Sequence, residues 1–270
     1  MNDRMQYKIR GWAYTAECLN PFQSTISINN LPLGLKLQAY KRDAVGRGLY
    51  RRKIHEPALT HMLLSRFAAP AHRAFIDVGA NLGYFSCLLS KLAGPSGTVL
   101  AVEPEPKNFQ LLEQNLRINQ LENVMVHRCA LGTGEGTTML GLYKPSNRGR
   151  HSIVNANPKS AIEVRVRTLD ELVMSSAGYF SSWSLVKVDV EGYEGLMLEG
   201  AKETISRTET LVMEFSPELL KKTGVDPASM LQRLGGEFSR IYRIAVTGLV
   251  PTSVQECLAN DDQLELVFDR

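Results

Sequence analysis

Cysteine is sparse in this chain, with four copies in 270 residues, and their spacing excludes both a disulfide framework and a zinc site. Cys18, Cys87, Cys129 and Cys257 form no C-x-x-C pair and have no histidine at a ligand interval, so reduced, mostly buried thiols are expected. No apolar run approaches the ~18 residues of a membrane span. The first twenty residues carry Asp3, Arg4, Lys8, Arg10 and Glu17 where a secretory signal would be apolar. A cytoplasmic protein with no membrane partner is the expectation. A net charge of +3 is too small to argue for nucleic acid by itself. Internal repeats and low-complexity segments are absent as well. What is present is enough apolar residue, 44% of the chain, to bury a full core.

One further absence is informative. A dinucleotide site needs G-x-G-x-x-G, because the second glycine admits the pyrophosphate and the third packs helix on strand. Here the stretch Phe75-Ile76-Asp77-Val78-Gly79-Ala80-Asn81-Leu82-Gly83 puts Asn81 and Tyr84 at those two places. An apolar run still ends in an acid and a glycine turn, and a helical segment from Tyr84 to Ala93 follows. A second apolar run, Thr98 to Val102, then ends in Glu103, about 20 residues further on. A strand, a glycine turn at a helix N-terminus and an acid ending the next strand make a nucleoside-cofactor site without room for a pyrophosphate. Asp77, Gly79 and Gly83 resemble the first motif of class I S-adenosylmethionine-dependent methyltransferases.

Strand and helix patterns alternate from Ala74 onward, which predicts an α/β fold with a parallel sheet and helices on both faces. Strands are expected over Phe75–Val78, Val99–Val102, from Val124, and over Leu185–Val188, Leu211–Phe215, Arg240–Val246 and Leu264–Phe268. Thr137–Tyr143 and Ile162–Val166 read as a hairpin-like insertion joined by a polar loop, 144–160. One helix is expected over Tyr193–Ile205. Residues 1–69 stand outside this alternation as an N-terminal extension with a lead-in helix, and 70–270 form the methyltransferase domain. Within the extension, Thr25–Ile28 and Leu33–Leu37 suggest two strands. Lys36 to Lys53 carries seven basic residues against Asp43 alone.

Glu103-Pro104, Ala130-Leu131-Gly132, Thr168 to Leu172, Lys187-Val188-Asp189-Val190-Glu191-Gly192-Tyr193-Glu194 and Met213-Glu214-Phe215 occur in an order and spacing similar to the FkbM family of S-adenosylmethionine-dependent methyltransferases. The resemblance runs from about Tyr50 to the C-terminus. It implies a Rossmann-like sheet in the order 3-2-1-4-5-7-6 with strand 7 antiparallel. It further implies that Asp77, Gly79, Ala80, Asn81 and Gly83 hold the methionine part of S-adenosylmethionine, that Glu103 holds the ribose, that Cys129 and Ala130 border the adenine, and that Asp189 lies at the methionine end. The acceptor it implies is a hydroxyl on a small molecule such as a sugar or natural product, free or carrier-tethered.

The donor sulfonium is already activated, so the protein must align the reactants and remove the acceptor's proton. If the strand continues through them, Lys187, Asp189 and Glu191 point to one side, and the two acids lie beyond the carboxyl end, where ligands of open α/β sheets sit. Asp189 suits a base or a partner for the donor's ammonium, and Glu191 suits a base. Both could instead pair with Lys187 or cap the next helix. His151, in the loop Ser146 to Ser152, is the histidine candidate for a base, and Arg148 and Arg150 could grip an anionic substrate group. Glu56 stands where the family carries a glutamate before the lead-in helix. Glu214, ending the next strand, could join Asp189 and Glu191 around magnesium, although a metal-free site is favoured. An RNA methyltransferase is the alternative, resting on the basic run. That run interleaves only Tyr40 and Tyr50, which gives base stacking little support, and nucleic acid is disfavoured. A module that binds the donor without catalysis is the third reading. Oligomeric state is open.

Overall fold

The computed structural model describes residues 3–20, 23–69, 71–154, 157, 159–176, 182–260 and 262–270; positions 155, 156 and 158 of the expected polar loop lie outside them. The chain opens with α1 (Asp3–Leu19), then an antiparallel pair, β1 (Thr25–Ile28) and β2 (Leu37–Tyr40). The second strand starts four residues later than Leu33, for a backbone reason. Pro32 has no N–H to give, and Leu33 and Gly34 take positive φ values of 56° and 73°, so this stretch turns instead of extending. The basic run then folds as α2 (Ala44–Arg52), capped by Asp43, whose Oδ2 accepts from the N–H groups of Val45 and Gly46. The lead-in helix is α3 (Pro57–Arg66).

The alternating part follows as β3 (Ala74–Val78), α4 (Tyr84–Ala93), β4 (Thr98–Val102), α5 (Pro106–Ile118) and β5 (Val124–His127). The insertion is β6 (Ala130–Leu131), β7 (Gly136–Gly141) and β8 (Ala161–Arg167), a small sheet in the order β6-β8-β7. Then come α6 (Leu169–Ser176), β9 (Leu185–Val188), α7 (Glu194–Glu199), α8 (Lys202–Ser206), β10 (Thr210–Phe215), α9 (Pro217–Lys222), α10 (Pro227–Glu237), β11 (Arg240–Ala245), β12 (Gly248–Pro251), α11 (Val254–Leu258) and β13 (Leu264–Asp269). The main sheet reads β5-β4-β3-β9-β10-β13-β11-β12, parallel from β5 to β10 and antiparallel at β13. The eighth strand, β12, extends the β11 edge beyond what the sequence predicted. The single helix expected over Tyr193–Ile205 is two, α7 and α8. Gly200 lies at the break because a Cβ there would stand 2.0 Å from the Gly132 carbonyl oxygen.

Two apolar clusters sandwich the sheet. Phe75, Val99, Leu185, Val212 and Val267 face α4, α5 and the N-terminal elements, and Tyr14, Ile26, Leu49 and Leu63 share this core. Ile76, Leu100, Val186, Leu211 and Phe268 face α6 to α10. The N-terminal segment is therefore built into the same core as the sheet. The strand register also decides where the polar side chains fall. Asp77 lies opposite Lys187, Lys187 opposite Val212, and Glu214 opposite Glu265, so all of these point to the face that the N-terminal segment covers. At its upper edge that face carries acids in place of apolar residues.

Candidate active site

The turn from β3 into α4 is held by close approaches that exclude side chains. Gly79 has φ 79°, and a Cβ there would lie 1.8 Å from the Asp189 carbonyl oxygen, so the tips of β3 and β9 can meet only over a glycine. At Gly83 the obstacle is Leu112 of α5. Between them, the Asn81 N–H donates to Glu103 Oε2 at 2.8 Å, and the Glu105 N–H donates to Glu103 Oε1 at 2.9 Å. Glu103 is thus fixed by backbone donors at the end of β4. Burial nevertheless outweighs those donors and pushes its carboxyl up to about 7.

Beside it opens a cleft of about 630 Å³, bordered by Gly79, Asn81, Glu103, Cys129, Ala130, Asp189 and Glu191, among others. Most residues expected to touch a nucleoside donor are brought together here. Ala80 borders a neighbouring cavity instead, with His55, Glu56 and Lys187. Asp77 and Gly83 border neither. Asp77 is fully buried below the turn, where its Oδ2 accepts from the Ser86 hydroxyl at 2.6 Å. Its register position, opposite the buried Lys187, puts it under the site and not on its wall.

The insertion closes the cleft from the other side. The Arg148 N–H donates to Asp43 Oδ1 at 2.7 Å, and the Arg148 guanidinium lies 4.4 Å from the centre of the Tyr40 ring, so the segment joining β7 to β8, a strap beside the cleft, is tied to the N-terminal segment. Arg148 is therefore engaged internally, while Arg150 reaches toward Glu191 at 3.9 Å. His151 Nδ1 accepts from the Tyr143 N–H at 2.9 Å. In the neutral ring the hydrogen then sits on Nε2, which is the nitrogen that can donate. Burial holds the imidazole below its ordinary range, favouring that neutral form. With Nδ1 engaged in this way, Nε2 is left beside the cleft without a partner among the described residues.

Carboxylates crowd the tips of β9, β10 and β13. Lys187 Nζ stands 3.3 Å from Asp189 Oδ2. Its burial favours the neutral amine, but Asp189, Asp77, Glu56 and Glu265 together raise it above the ordinary lysine range. Glu191, with φ 52°, is pushed up to about 7 by burial and then by Asp189. Glu214 goes to about 9, through burial and then Asp189, Glu191 and Glu194. Glu265 rises to about 8 by burial and the nearby Glu56. Burial would raise Glu56 too, yet its hydrogen bond and charge contact with His55, 3.1 Å away, pull it to about 2. One oxygen each from Asp189, Glu191 and Glu214 come within 4.8 Å of one another, a convergence that suits a hard cation. Glu265 was missed in the sequence because only the antiparallel return of β13 places it opposite Glu214. Asn108 was missed as well; it borders the cleft from the first turn of α5, and its one signal is a polar residue five places after Glu103.

A mixed sheet with parallel strand tips meeting a glycine turn, an acid ending the second strand and a cleft between them defines a class I, Rossmann-like methyltransferase fold. The chain belongs to the FkbM methyltransferase family, whose domain model matches residues 77–244. Among curated proteins it is similar to methyltransferase sdnD of Sordaria araneosa, 28% identical over 60% of this chain and 56% of that protein. Similar too is the hexuronic acid methyltransferase AglP of Haloferax volcanii, 28% identical over 58% of this chain and 59% of that protein. Methyltransferase 1 of Beauveria bassiana is 27% identical over 48% of this chain and 59% of that protein. The matched part thus spans a little under 60% of these relatives' length. Among solved structures, the O-methyltransferase TomG of Streptomyces achromogenes has a TM-score of 0.45 at 15% identity, over 80% of this chain and 81% of that one, too loose a likeness to bear on mechanism.

The cleft fits the nucleoside donor such a family implies. Glu103 retains lone pairs for ribose hydroxyls beyond the two N–H groups it already accepts. Cys129, Ala130, Leu131, Leu140 and Ile153 supply an apolar slot next to it.

Proposed function

We propose that the chain transfers the methyl group of S-adenosylmethionine to a hydroxyl of a small molecule, a sugar or natural product. The observation that carries this reading is one cleft holding both a backbone-fixed carboxylate, Glu103, and a carboxyl poised near neutral pH, Glu191. Glu103 holds the ribose hydroxyls, Gly79 and Asn81 let the backbone approach the donor, and Asp189 faces its amino group. When bound, the donor supplies an activated methyl on sulfur. The acceptor oxygen forms the new bond to carbon as the carbon–sulfur bond breaks. Glu191 takes the hydroxyl proton, a task for which a carboxyl near 7 is well matched. His151, donating from Nε2, orients an oxygen or nitrogen in the cleft. Likeness to a hexuronic acid methyltransferase supports a sugar-type acceptor.

The basic run lends RNA little support. Lys41 is buried and donates to the Asn20 carbonyl, Arg51 lies over Tyr7, and Lys53 lies over Tyr50. A divalent cation among Asp189, Glu191 and Glu214 is a second reading, favoured by their convergence. The metal-free reading is preferred because Lys187 already pairs with Asp189. Activity that survives exhaustive chelation would end the cation reading. The main test offers methyl-labelled S-adenosylmethionine with metabolite extract and, separately, total RNA, followed by mass spectrometry. Label on a small hydroxylated compound supports the proposal. Label in RNA overturns it, and no label in either pool leaves a donor-binding module.

A further inference from the structure

Asn108 is 2% exposed, and its Oδ1 has no hydrogen-bond partner. A buried, unpaired amide is costly and calls for an explanation. The local structure offers none. The Asn108 backbone N–H is satisfied by Glu105 Oε2 at 2.7 Å, closing the cap of α5. Asn108 instead borders the cleft that Cys129, Ala130, Leu131, Leu140 and Ile153 also line. Of the buried unpartnered side-chain atoms among the described residues, only Asn108 Oδ1 and His151 Nε2 belong to residues on this cleft.

A ligand that fills such a slot must be flat and apolar on its faces, and must offer a donor beside an acceptor on its edge. Adenine does so: its exocyclic amino group and an adjacent ring nitrogen match a carboxamide in two parallel hydrogen bonds. We infer that Asn108 is the residue that reads the adenine edge of the donor nucleoside, its Oδ1 accepting from the exocyclic amino group and its Nδ2 donating to the neighbouring ring nitrogen. The inference rests on the donor half of the proposed function and adds a specificity residue that the glycine turn and Glu103 do not supply. A ribose acid recognises any nucleoside, whereas an amide on the wall of the cleft that pairs with the base edge selects one base. The unpaired amide is then a cost borne by the free protein and recovered when the base is bound.

The test compares S-adenosylhomocysteine with its analogue lacking the exocyclic amino group, by calorimetric titration of the full chain. Wild type is expected to prefer the adenine compound by about ten- to hundredfold. Asn108→Leu, similar in size and without polar atoms, is expected to bring that ratio close to one. The melting temperature of the free variant should match or exceed wild type, because an unpaired polar group has been removed. Asn108→Ala should abolish the preference too, covering the case in which leucine does not fit. A preference that persists in both variants overturns the inference. So does a lowered melting temperature with the preference intact, which would make the amide a structural group. Wild-type protein that binds neither compound would overturn the donor reading itself, an outcome distinct from equal binding of both.

Discussion

The two halves of the sheet's upper edge satisfy their acids in opposite ways. At β3 and β4, Glu103 is held by the N–H groups of Asn81 and Glu105, and the apolar slot beside it is lined by β6, β7 and the strap. At β9, β10 and β13, Asp189, Glu214, Glu265 and Glu56 crowd around one buried lysine, and two of them face each other across a strand pair. Like charges directly opposite each other in a sheet are unfavourable, and protons bound by Glu214 and Glu265 relieve the crowding. The first half is preorganised by backbone donors, and under the proposed function it receives the neutral nucleoside. The second is electrostatically unfinished, as expected where a sulfonium, an amine and a departing proton have to be managed. Gly79, Asn81 and Asp189 border the cavities on both sides and form the seam.

The largest break in this contrast should come at Glu191. Glu191→Gln removes the proton acceptor and is expected to lower turnover by about 10²- to 10⁴-fold, with the affinity for S-adenosylhomocysteine nearly unchanged. A wild-type rate would take Glu191 out of the mechanism. Next is Lys187→Met, which strips the crowded half of its lysine and should cost about 3–5 kcal/mol of stability. Denaturant unfolding at pH 8 reads that loss, and a change below about 1 kcal/mol would mean the acids do not depend on Lys187.

The pH dependence of stability is the most diagnostic of the crowding. Glu103, Glu191 and Glu194 titrate at about 7, Glu265 at about 8 and Glu214 at about 9 in the fold, against 4.5 when unperturbed. Between about pH 4.5 and 9 the folded protein therefore holds protons that the unfolded chain has released, so stability falls as pH rises through that window. The melting temperature should be lower at pH 9 than at pH 6, and Glu214→Gln should flatten the decline above pH 7. A melting temperature that climbs from pH 6 to 9 would show that the crowded half is not crowded.

The preorganised half was far more legible in sequence than the crowded one. Gly79, Asn81 and Glu103 lie within one β-α-β unit, so local spacing carries their geometry, and they arrive together as expected. Asp77 shares that unit, but strand alternation turned it beneath the turn toward Ser86. The parallel sheet followed from alternation; β12 pairs locally with β11 in a tight hairpin, Ala245 opposite Gly248, but it is short, and the break at Gly200 depends on the Gly132 carbonyl, distant in sequence. The crowded half is assembled from residues as far apart as Glu56 and Glu265, brought together by the N-terminal segment and the return of β13. The tautomer of His151 could not be foreseen either, because it is fixed by an N–H eight residues away in a loop with no periodicity.

Under the proposed function the donor's nucleoside is held by the preorganised half, and Asp189 of the crowded half meets only the donor's amino group. Calorimetric titration of S-adenosylhomocysteine into wild type, Glu103→Ala and Glu214→Gln tests it most directly. The account predicts one site per chain, an affinity loss of about ten- to hundredfold in Glu103→Ala from the missing charged acceptor, and an affinity within about threefold of wild type in Glu214→Gln. Wild-type affinity in Glu103→Ala, or an equal loss in Glu214→Gln, would contradict it.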